Sequence, residues 1–390
     1  MMFEFDDLQS AWHDEVRAFL AEHATPALVA ELKAYSGQLG PEEAAFRRKM
    51  GEKGWFGVNW PSEFGGLDKG PVYQHILTNE LQYQGLPGLG IEVTALAPVI
   101  MRHGTAQNRA EFLPPIARGE LTCAVGYSEP DAGTDLASLK TTAELDGDEW
   151  VINGQKAWNT AAQRSTHEWL CVRTDNEAPK HKGISVLMVP LSAPGIEIRP
   201  LWAWSGARTN EVFFHDVRVP STNLIGEPNR GWRYIIEALD LERGAVAHVG
   251  DLRRAVDDLV AAAQAPSASR VSVASADMRR KIAQLDADVE IAVLMGLETC
   301  SLHVSGQNST LAATAEKIFS SELRQRIADV GTQMFGMSGA LAASDPFAAL
   351  QGKFEQHYRS APLLRFGGGA NEVLRDVIAQ RGYGMPRYDR

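Results

Sequence analysis

The sequence predicts an α+β fold in three consecutive segments: a helical N-terminal domain, a small antiparallel β-barrel or sandwich, and a C-terminal four-helix bundle. Three observations carry this. Apolar residues recur at helical spacing up to about residue 120. Short apolar or alternating runs between turns follow, from 121 to 230. A long helical period then returns at Gly231 and persists. The expected domains are 1–120, 121–230 and 231–390.

Leu8, Trp12, Val16, Phe19 and Leu20 give the opening amphipathic helix. Pro41–Lys53 reads as a second helix, stopped at Gly54. Trp55–Gly66 is a loop punctuated by Gly and Pro, and its aromatics read as core filler. Val72–Gln84, Ile91–His103 and Asn108–Ala117 complete the helical segment. Thr141–Leu145 and Glu149–Ile152 flank Asp146-Gly147, a hairpin signal. Glu168–Thr174, Ile184–Val189, Ile196–Arg199 and Glu211–Val219 are further short strands, whose spacing suits a small antiparallel sheet. Asp175–Lys182 is a polar loop. Gly231–Gln264, Ala276–Ser305, Leu311–Phe335 and Phe347–Leu364 are long helical patterns, with Ala265–Ser275 a small-residue break. Joined by short connections, they form a bundle.

A chain of 390 residues exceeds one core. Hydrophobic and charged contents of 44% and 22% are those of a soluble globular protein. A net charge of −11 argues against nucleic acid as the main partner. Cys123, Cys171 and Cys300 are scattered and odd in number, with no metal spacing or disulfide framework. A reducing, cytoplasmic setting is expected. The acidic Phe3–Asp7 leading into a helix predicts no signal peptide. No apolar run approaches the roughly 20 residues of a membrane span.

Chemistry concentrates in Gly126–Asp135, GYSEPDAGTD, and in GQKAWNTAA around Trp158. Gly133 lets backbone approach a ligand closely. Ser128 and Thr134 offer hydroxyls for polar ring atoms or phosphate oxygens. Trp158 offers a flat apolar face with the Thr160 hydroxyl beside it. Together they suit a planar, polar-edged cofactor carrying a phosphate.

Ser128–Asp135 and Asp146–Thr160 resemble the flavin-contacting signature of acyl-CoA dehydrogenases, S/T-E-P-x-A-G-S/T-D followed by D-G-D-x-x-x-I-N-G-Q-K-x-W-x-T. Order and spacing agree over more than thirty residues, and the likeness extends to the last motif near Arg387. The resemblance implies the acyl-CoA dehydrogenase fold with FAD as cofactor. Trp158 packs on the isoalloxazine, Thr160 bonds near N5, Ser128 bonds the pyrimidine edge and Thr134 reaches the phosphates. Tyr127 and Gly133 belong to the same cofactor set. Gln333–Gly339, QMFGMSG, is similar to the family's Q-x-F-G-G-x-G loop, which contacts the adenine end of FAD across a subunit interface. Met337 replaces its second glycine, so only Gln333 and Gly336 carry over. The family's R-x-x-F-G element is not recognisable around Val271–Gln284, and neither Arg279 nor Arg280 is assigned to it.

The resemblance also implies a reaction: a carboxylate removes the acyl α-proton, and the β-hydride leaves to flavin, giving a trans-2-enoyl-CoA. Such chemistry needs donors at the thioester oxygen and a desolvated base. Many members carry the base in a C-terminal E-G-T-x-E/Q-I-x-R loop. Here that loop is Phe366–Arg375, FGGGANEVLR, with Gly368 in the place of the Glu. The family's second location lies on the first bundle helix, in L-D-x-E-R. Leu239–Arg243 matches it, which makes Glu242 the base. Asp240, Arg243, Gly368 and Gly369 are the substrate-binding residues, and the Gly368 N–H keeps its role at the thioester oxygen. No metal site is implied.

In wording, GYSEPDAGTDLASL with FGGGANEVLRDVIA resembles the actinobacterial-type dehydrogenases of steroid side-chain breakdown, several of which are α2β2 assemblies. The implied substrate is a bulky or branched acyl-CoA, and the implied electron acceptor an electron-transfer flavoprotein. The implied assembly is a homo-dimer or tetramer, or an α2β2 oligomer. Two other readings stay open: a non-catalytic partner subunit, and an oxygen-using flavoenzyme of the nitroalkane oxidase or monooxygenase type. The intact flavin motif and Glu242 count against the first, and the thioester loop against the second.

Overall fold

The structure, a computed structural model of the chain, describes residues 4–34, 37–246, 249–265 and 275–386, with only the backbone of 243–246. Arg387, and most of the break expected at Ala265–Ser275, lie outside the described residues.

The first helices follow the apolar spacing. Trp12, Val16, Phe19 and Leu20 form the buried stripe of α1 (Asp7–His23). The sequence reading missed α2 (Pro26–Ala34), which begins with Pro at its first position and whose Leu28 N–H donates to Thr25 Oγ1 at 3.1 Å. Then come α3 (Pro41–Glu52) and α4 (Pro71–Tyr83). Ile91–His103, expected as one helix, instead contains a π-helical turn at Glu92–Leu96 before α5 (Ala97–His103). Pro98 has no N–H to donate to the Thr94 carbonyl, so the α ladder cannot run through it. A Thr105–Asn108 capping box starts α6 (Ala106–Ala117).

The strands are β1 (Cys123–Gly126), β2 (Thr142–Asp146), β3 (Glu149–Ala157), β4 (His167–Arg173), β5 (Ile184–Pro190), β6 (Ile196–Trp202) and β7 (Arg208–Pro220). They form one sheet in the order β1-β4-β2-β3-β7-β6, with β5 on β4. The β2–β3 hairpin turns at Gly147, φ +66°. The hairpin pairings are antiparallel as read, but β1 and β2 each pair parallel with β4. β1 is only four residues long and gave no periodic signal in the sequence. Ile152, Leu170, Val172, Leu187, Val189, Val212, Phe214 and Val217 fill the sheet core.

Helices then return as α7 (Gly231–Val246), α8 (Val249–Gln264), α9 (Ala276–Val304) and α10 (Thr310–Phe335). The expected single pattern Gly231–Gln264 corresponds to α7 and α8, with residues 247–248 between them outside the described residues. Phe347–Leu364 is not one helix. Positive φ at Leu350 (46°), Gln351 (55°) and Gly352 (72°) confines the helix to α11 (Lys353–Ser360). Short helices α12 (Leu363–Phe366) and α13 (Asn371–Val377) then flank the glycine loop. Val249, Leu252, Val256 and Leu259 of α8 share a core with Leu285 and Val289 of α9 and Leu323, Ile327 and Met334 of α10.

The chain forms two compact units that are not contiguous in sequence. One comprises Met1–Glu22, Pro71–Gly88 and Arg243–Arg390; the other comprises His23–Gly70 and Leu89–Glu242. Within the first, α4 packs on α8 and α9. A Cβ at Gly250 of α8 would stand 2.0 Å from Asn79 O of α4, so only glycine permits that approach.

Candidate active site

Strand β1 delivers the chain into the Tyr127–Asp135 turn, and Glu129 locks the turn in place. Its carboxylate accepts from the backbone N–H groups of Lys140 (2.6 Å) and Thr141 (2.9 Å) and from Lys156 Nζ (2.8 Å). Lys156 also donates to Tyr127 O at 3.1 Å, and the Ala157 N–H donates to Ser128 O at 2.9 Å. Lys156 is wholly buried. It points inward because it stands two and three pleats on from the buried Ile152 and Trp150, on the same face of β3; the register shift between Ile152 and Gly154 adds its extra residue on β7. Lys156 holds the Glu129 carboxyl below its usual range despite the opposing cost of burial. Glu129 and Lys156 both stand in the quoted motif, yet the sequence reading weighed only its hydroxyls, glycine and aromatic.

The second flavin motif has an unusual backbone. Trp158 and Ala161, neither of them glycine, sit at φ +66° and +63°. Asn159 between them is the anchor. Its N–H donates to Asn210 O (3.0 Å), its carbonyl accepts from Asn210 Nδ2 (2.8 Å), and its Nδ2 donates to Val125 O (3.2 Å) and to Glu168 Oε1. The Trp158 indole, so held, remains 60% exposed. Thr160, Gly133 and Thr134 are exposed as well, and a Cβ on Gly133 would meet no heavy atom within 4 Å. An exposed indole on a strained, anchored backbone, with hydroxyls and an open glycine in the same unit, fits a planar ring with a phosphate tail.

Behind these segments lie buried polar groups, of which the sequence reading named only Tyr127. Tyr127 Oη, Asn159 Oδ1, Glu168 Oε2 and Trp169 Nε1 are all buried without a hydrogen-bond partner. Burial, reinforced by the negative charge of Glu242, pushes the Tyr127 phenol well above its usual range. The Trp169 N–H opposes this weakly and does not amount to a hydrogen bond.

Glu242 lies on α7, whose start is pinned in the same unit. A Cβ on Gly231 would stand 2.7 Å from the Ser185 carbonyl carbon. Tyr234 stacks on His103 with centroids 4.9 Å apart, and Glu237 pairs with His103 Nε2 at 2.7 Å and with Arg102. Ile235 and Ala238 are buried. Glu242 follows them at i+7 and i+4, so it continues the inward stripe and is half-buried. It is also electrostatically coupled to Tyr127. Asp240 on the same helix is half-buried, and the Arg243 side chain lies outside the described residues.

The other unit carries the remaining expected positions. Gly368 and Gly369 have φ of +66° and +102°, backbone that glycine adopts without strain. Lys317 of α10, which no sequence signal marked, donates to Gly369 O (2.7 Å), Asn371 Oδ1 (2.9 Å) and Arg365 O (3.3 Å). Gln333 accepts from Lys281 Nζ at 3.1 Å and donates to Asp329 at 2.8 Å. Gly336 ends α10 at φ +55°, and Met337 after it is 87% exposed. Arg280 of α9 is exposed and lies 3.5 Å from Asp277. Among the described residues, no three His, Cys, Asp or Glu gather to hold a metal, and no helix is long and apolar enough to cross a membrane.

Three family models match in sequence order. They are the acyl-CoA dehydrogenase N-terminal domain over residues 6–120, middle domain over 124–217 and C-terminal domain over 229–383. Acyl-CoA dehydrogenases FadE26 and FadE29 of Mycobacterium tuberculosis are 35% and 36% identical, each over the full length of both chains. Among solved structures, the Tcur3481-Tcur3483 steroid ACAD matches with a TM-score of 0.91 at 35% identity, covering 100% of both chains. The ChsE4-ChsE5 complex of Mycobacterium tuberculosis matches with 0.90 at 34%, again covering 100% of each. The chain belongs to the acyl-CoA dehydrogenase family of FAD-dependent oxidoreductases.

Proposed function

We propose that this enzyme desaturates a bulky or branched acyl-CoA at Cα–Cβ, a steroid side-chain thioester being the first choice, with Glu242 as the base. One observation carries the reading: position 368 is glycine, while Glu242 continues the inward stripe of α7 and is coupled to the buried phenol oxygen of Tyr127. A carboxylate partly withdrawn from water suits removal of a weakly acidic α-proton. The Cα–H bond breaks with its proton passing to the Glu242 carboxylate, and the electron pair left at Cα forms the double bond. Bound FAD supplies the acceptor for the hydride released from Cβ. The Gly368 N–H donates to the thioester oxygen, where charge develops. Gly369 gives that loop its backbone shape, and Asp240 and Arg243 orient the thioester.

Trp158 stacks on the flavin ring, with Thr160, Ser128 and Tyr127 at its polar edge. Gly133 and Thr134 would face the phosphates, and Gln333 and Gly336 the adenine end of a neighbouring subunit's FAD. Electrons pass on to an electron-transfer flavoprotein. Two solved relatives whose names pair two differently named chains, the Tcur3481-Tcur3483 steroid ACAD and the ChsE4-ChsE5 complex, support an α2β2 assembly over a homo-oligomer. Three free, buried cysteines suit a cytoplasmic setting.

The test is anaerobic titration of the holoenzyme with straight-chain, 2-methyl and steroid side-chain acyl-CoAs, for the parent and for Glu242→Gln. The parent flavin bleaches fastest with the steroid thioester. The variant keeps its FAD and binds acyl-CoA, but its reduction slows about 10²–10⁴-fold or more. Near-parental reduction by the variant excludes Glu242 as the base.

A further inference from the structure

Glu168 of β4 and Asn159 are both buried, at 0% and 1% exposure, and face each other through Asn159 Nδ2 and Glu168 Oε1. The orientation of the amide is fixed independently, because Nδ2 also donates to the carbonyl of Val125 at 3.2 Å. That leaves Asn159 Oδ1 and Glu168 Oε2, both buried and both without a partner. If the carboxyl is ionised, these are two acceptors shut away together, a costly arrangement. A neutral carboxylic acid carries the missing O–H donor.

We propose that Glu168 is a positioning residue. As the neutral acid it closes a two-point pair with Asn159, its Oε2–H donating to Oδ1 while Nδ2 donates to Oε1, and this pair holds the Trp158–Thr160 segment. Loss of the proton to solvent removes one hydrogen bond and opposes two oxygens, which loosens the segment.

The surroundings agree. Burial pushes the Glu168 carboxyl up to about 8, against the pull of Lys156. Lys156 on β3 directs its ammonium to Tyr127 O and Glu129 Oε1. Cys171 on β4 and Cys123 on β1, the thiols that feel Glu168, are pushed up by burial and stay neutral across this range. Backbone closes the remaining side: a Cβ at Gly126 would stand 2.2 Å from Glu168 Oε1. The pair therefore opens near pH 8 rather than near the usual carboxylate value.

The proposal rests on Trp158 and Thr160 contacting FAD, and its test separates the two ideas. Amide hydrogen exchange across residues 157–163 of the FAD-free chain, and the FAD Kd, are measured from about pH 6 to about pH 10 for parent, Glu168→Gln and Glu168→Ala. Gln reproduces both hydrogen bonds at every pH. The parent should lose protection and bind FAD about 10-fold more weakly on crossing pH 8. Glu168→Gln should match the neutral parent and stay flat. Glu168→Ala should be loosened throughout. A Gln variant that declines with the parent, or a parent that stays flat, overturns the pair. Exchange that follows the expected pattern with an unchanged FAD Kd supports the pair and overturns only the placement of FAD on this segment.

Discussion

Lys317 Nζ reaches Gly369 O at 2.7 Å and Arg365 O at 3.3 Å, so one buried ammonium on α10 ties down both ends of the glycine loop. A third bond, to Asn371 Oδ1 at 2.9 Å, joins the loop to the start of α13. Three consecutive glycines leave Phe366–Gly369 with little intrinsic preference for one shape, and the lysine supplies the constraint.

Lys317→Met keeps most of the side-chain volume and removes the donors to Gly369 O and Arg365 O, while Asn371 Oδ1 keeps only Ser321 Oγ at 3.4 Å. Stability should fall by about 3 kcal/mol, measured from the urea midpoint. Amide exchange at 366–370 should rise in the same variant. If the loop is the thioester donor, kcat should drop more than KM rises. A variant with parental stability and exchange would show that the loop holds its shape without Lys317.

Trp158→Ala should weaken FAD retention and shift the flavin spectrum, because the 60% exposed indole face is the stacking surface. Thr134→Val, which removes one exposed hydroxyl, should cost roughly 1 kcal/mol of FAD affinity. Equilibrium dialysis and visible spectra report both. Unchanged affinity and spectrum in the pair of variants would remove these residues from the cofactor site.

Gly368→Glu places a side chain at a backbone φ of +66°, a strain of about 1 kcal/mol before any contact is made. On the proposed reading, the added volume should lower kcat/KM for 2-methyl and steroid side-chain thioesters more than for butyryl- or octanoyl-CoA. Combining it with Glu242→Gln should recover some straight-chain activity, since a carboxylate then occupies the family's other position. Equal losses on every substrate would sink the argument that glycine makes room.

Stability should also depend on pH in a way that variants resolve. Burial raises the Glu316 carboxyl to about 7 and lowers His75 and His357 to about 4. For Glu316 the folded state holds its proton more tightly than the unfolded chain. That contribution is complete below the ordinary carboxylate value and is lost as pH rises towards 7. The histidines bind their protons less tightly when folded, so their cost appears as pH falls from about 6.5 to 4. Glu316→Gln, which can still accept from Thr299 Oγ1, should flatten the decline of Tm between about pH 5 and 7. An unaltered decline would assign it to other groups.

Much of the fold was legible in the chain. Trp12, Val16, Phe19 and Leu20 announce α1 because a helix repeats every 3.6 residues, and Asp146-Gly147 announces the β2–β3 turn because Gly147, alone of the two central residues at positive φ, opens a type II′ turn. The flavin motifs are local too: Ser128, Gly133, Thr134, Trp158 and Thr160 fall within thirty-odd residues of one another. The break in Phe347–Leu364 was hidden, since positive φ at Leu350 and Gln351 is not a preference of those residues.

The sequence by itself determined the order of helices, strands and helices, the motif residues, and the exchange of a Glu for glycine at 368. It also offered a carboxylate at 242, but not its orientation. Only the tertiary structure decided that Glu242 continues a buried stripe, that α4 packs with α8 and α9, and that Lys317 meets a carbonyl 52 positions away. Periodicity and turn chemistry are set by neighbours a few bonds apart. The worth of a buried Lys, Glu or Asn depends on which distant partner the packing brings to its polar atoms, and that partner is not encoded in the residues beside it.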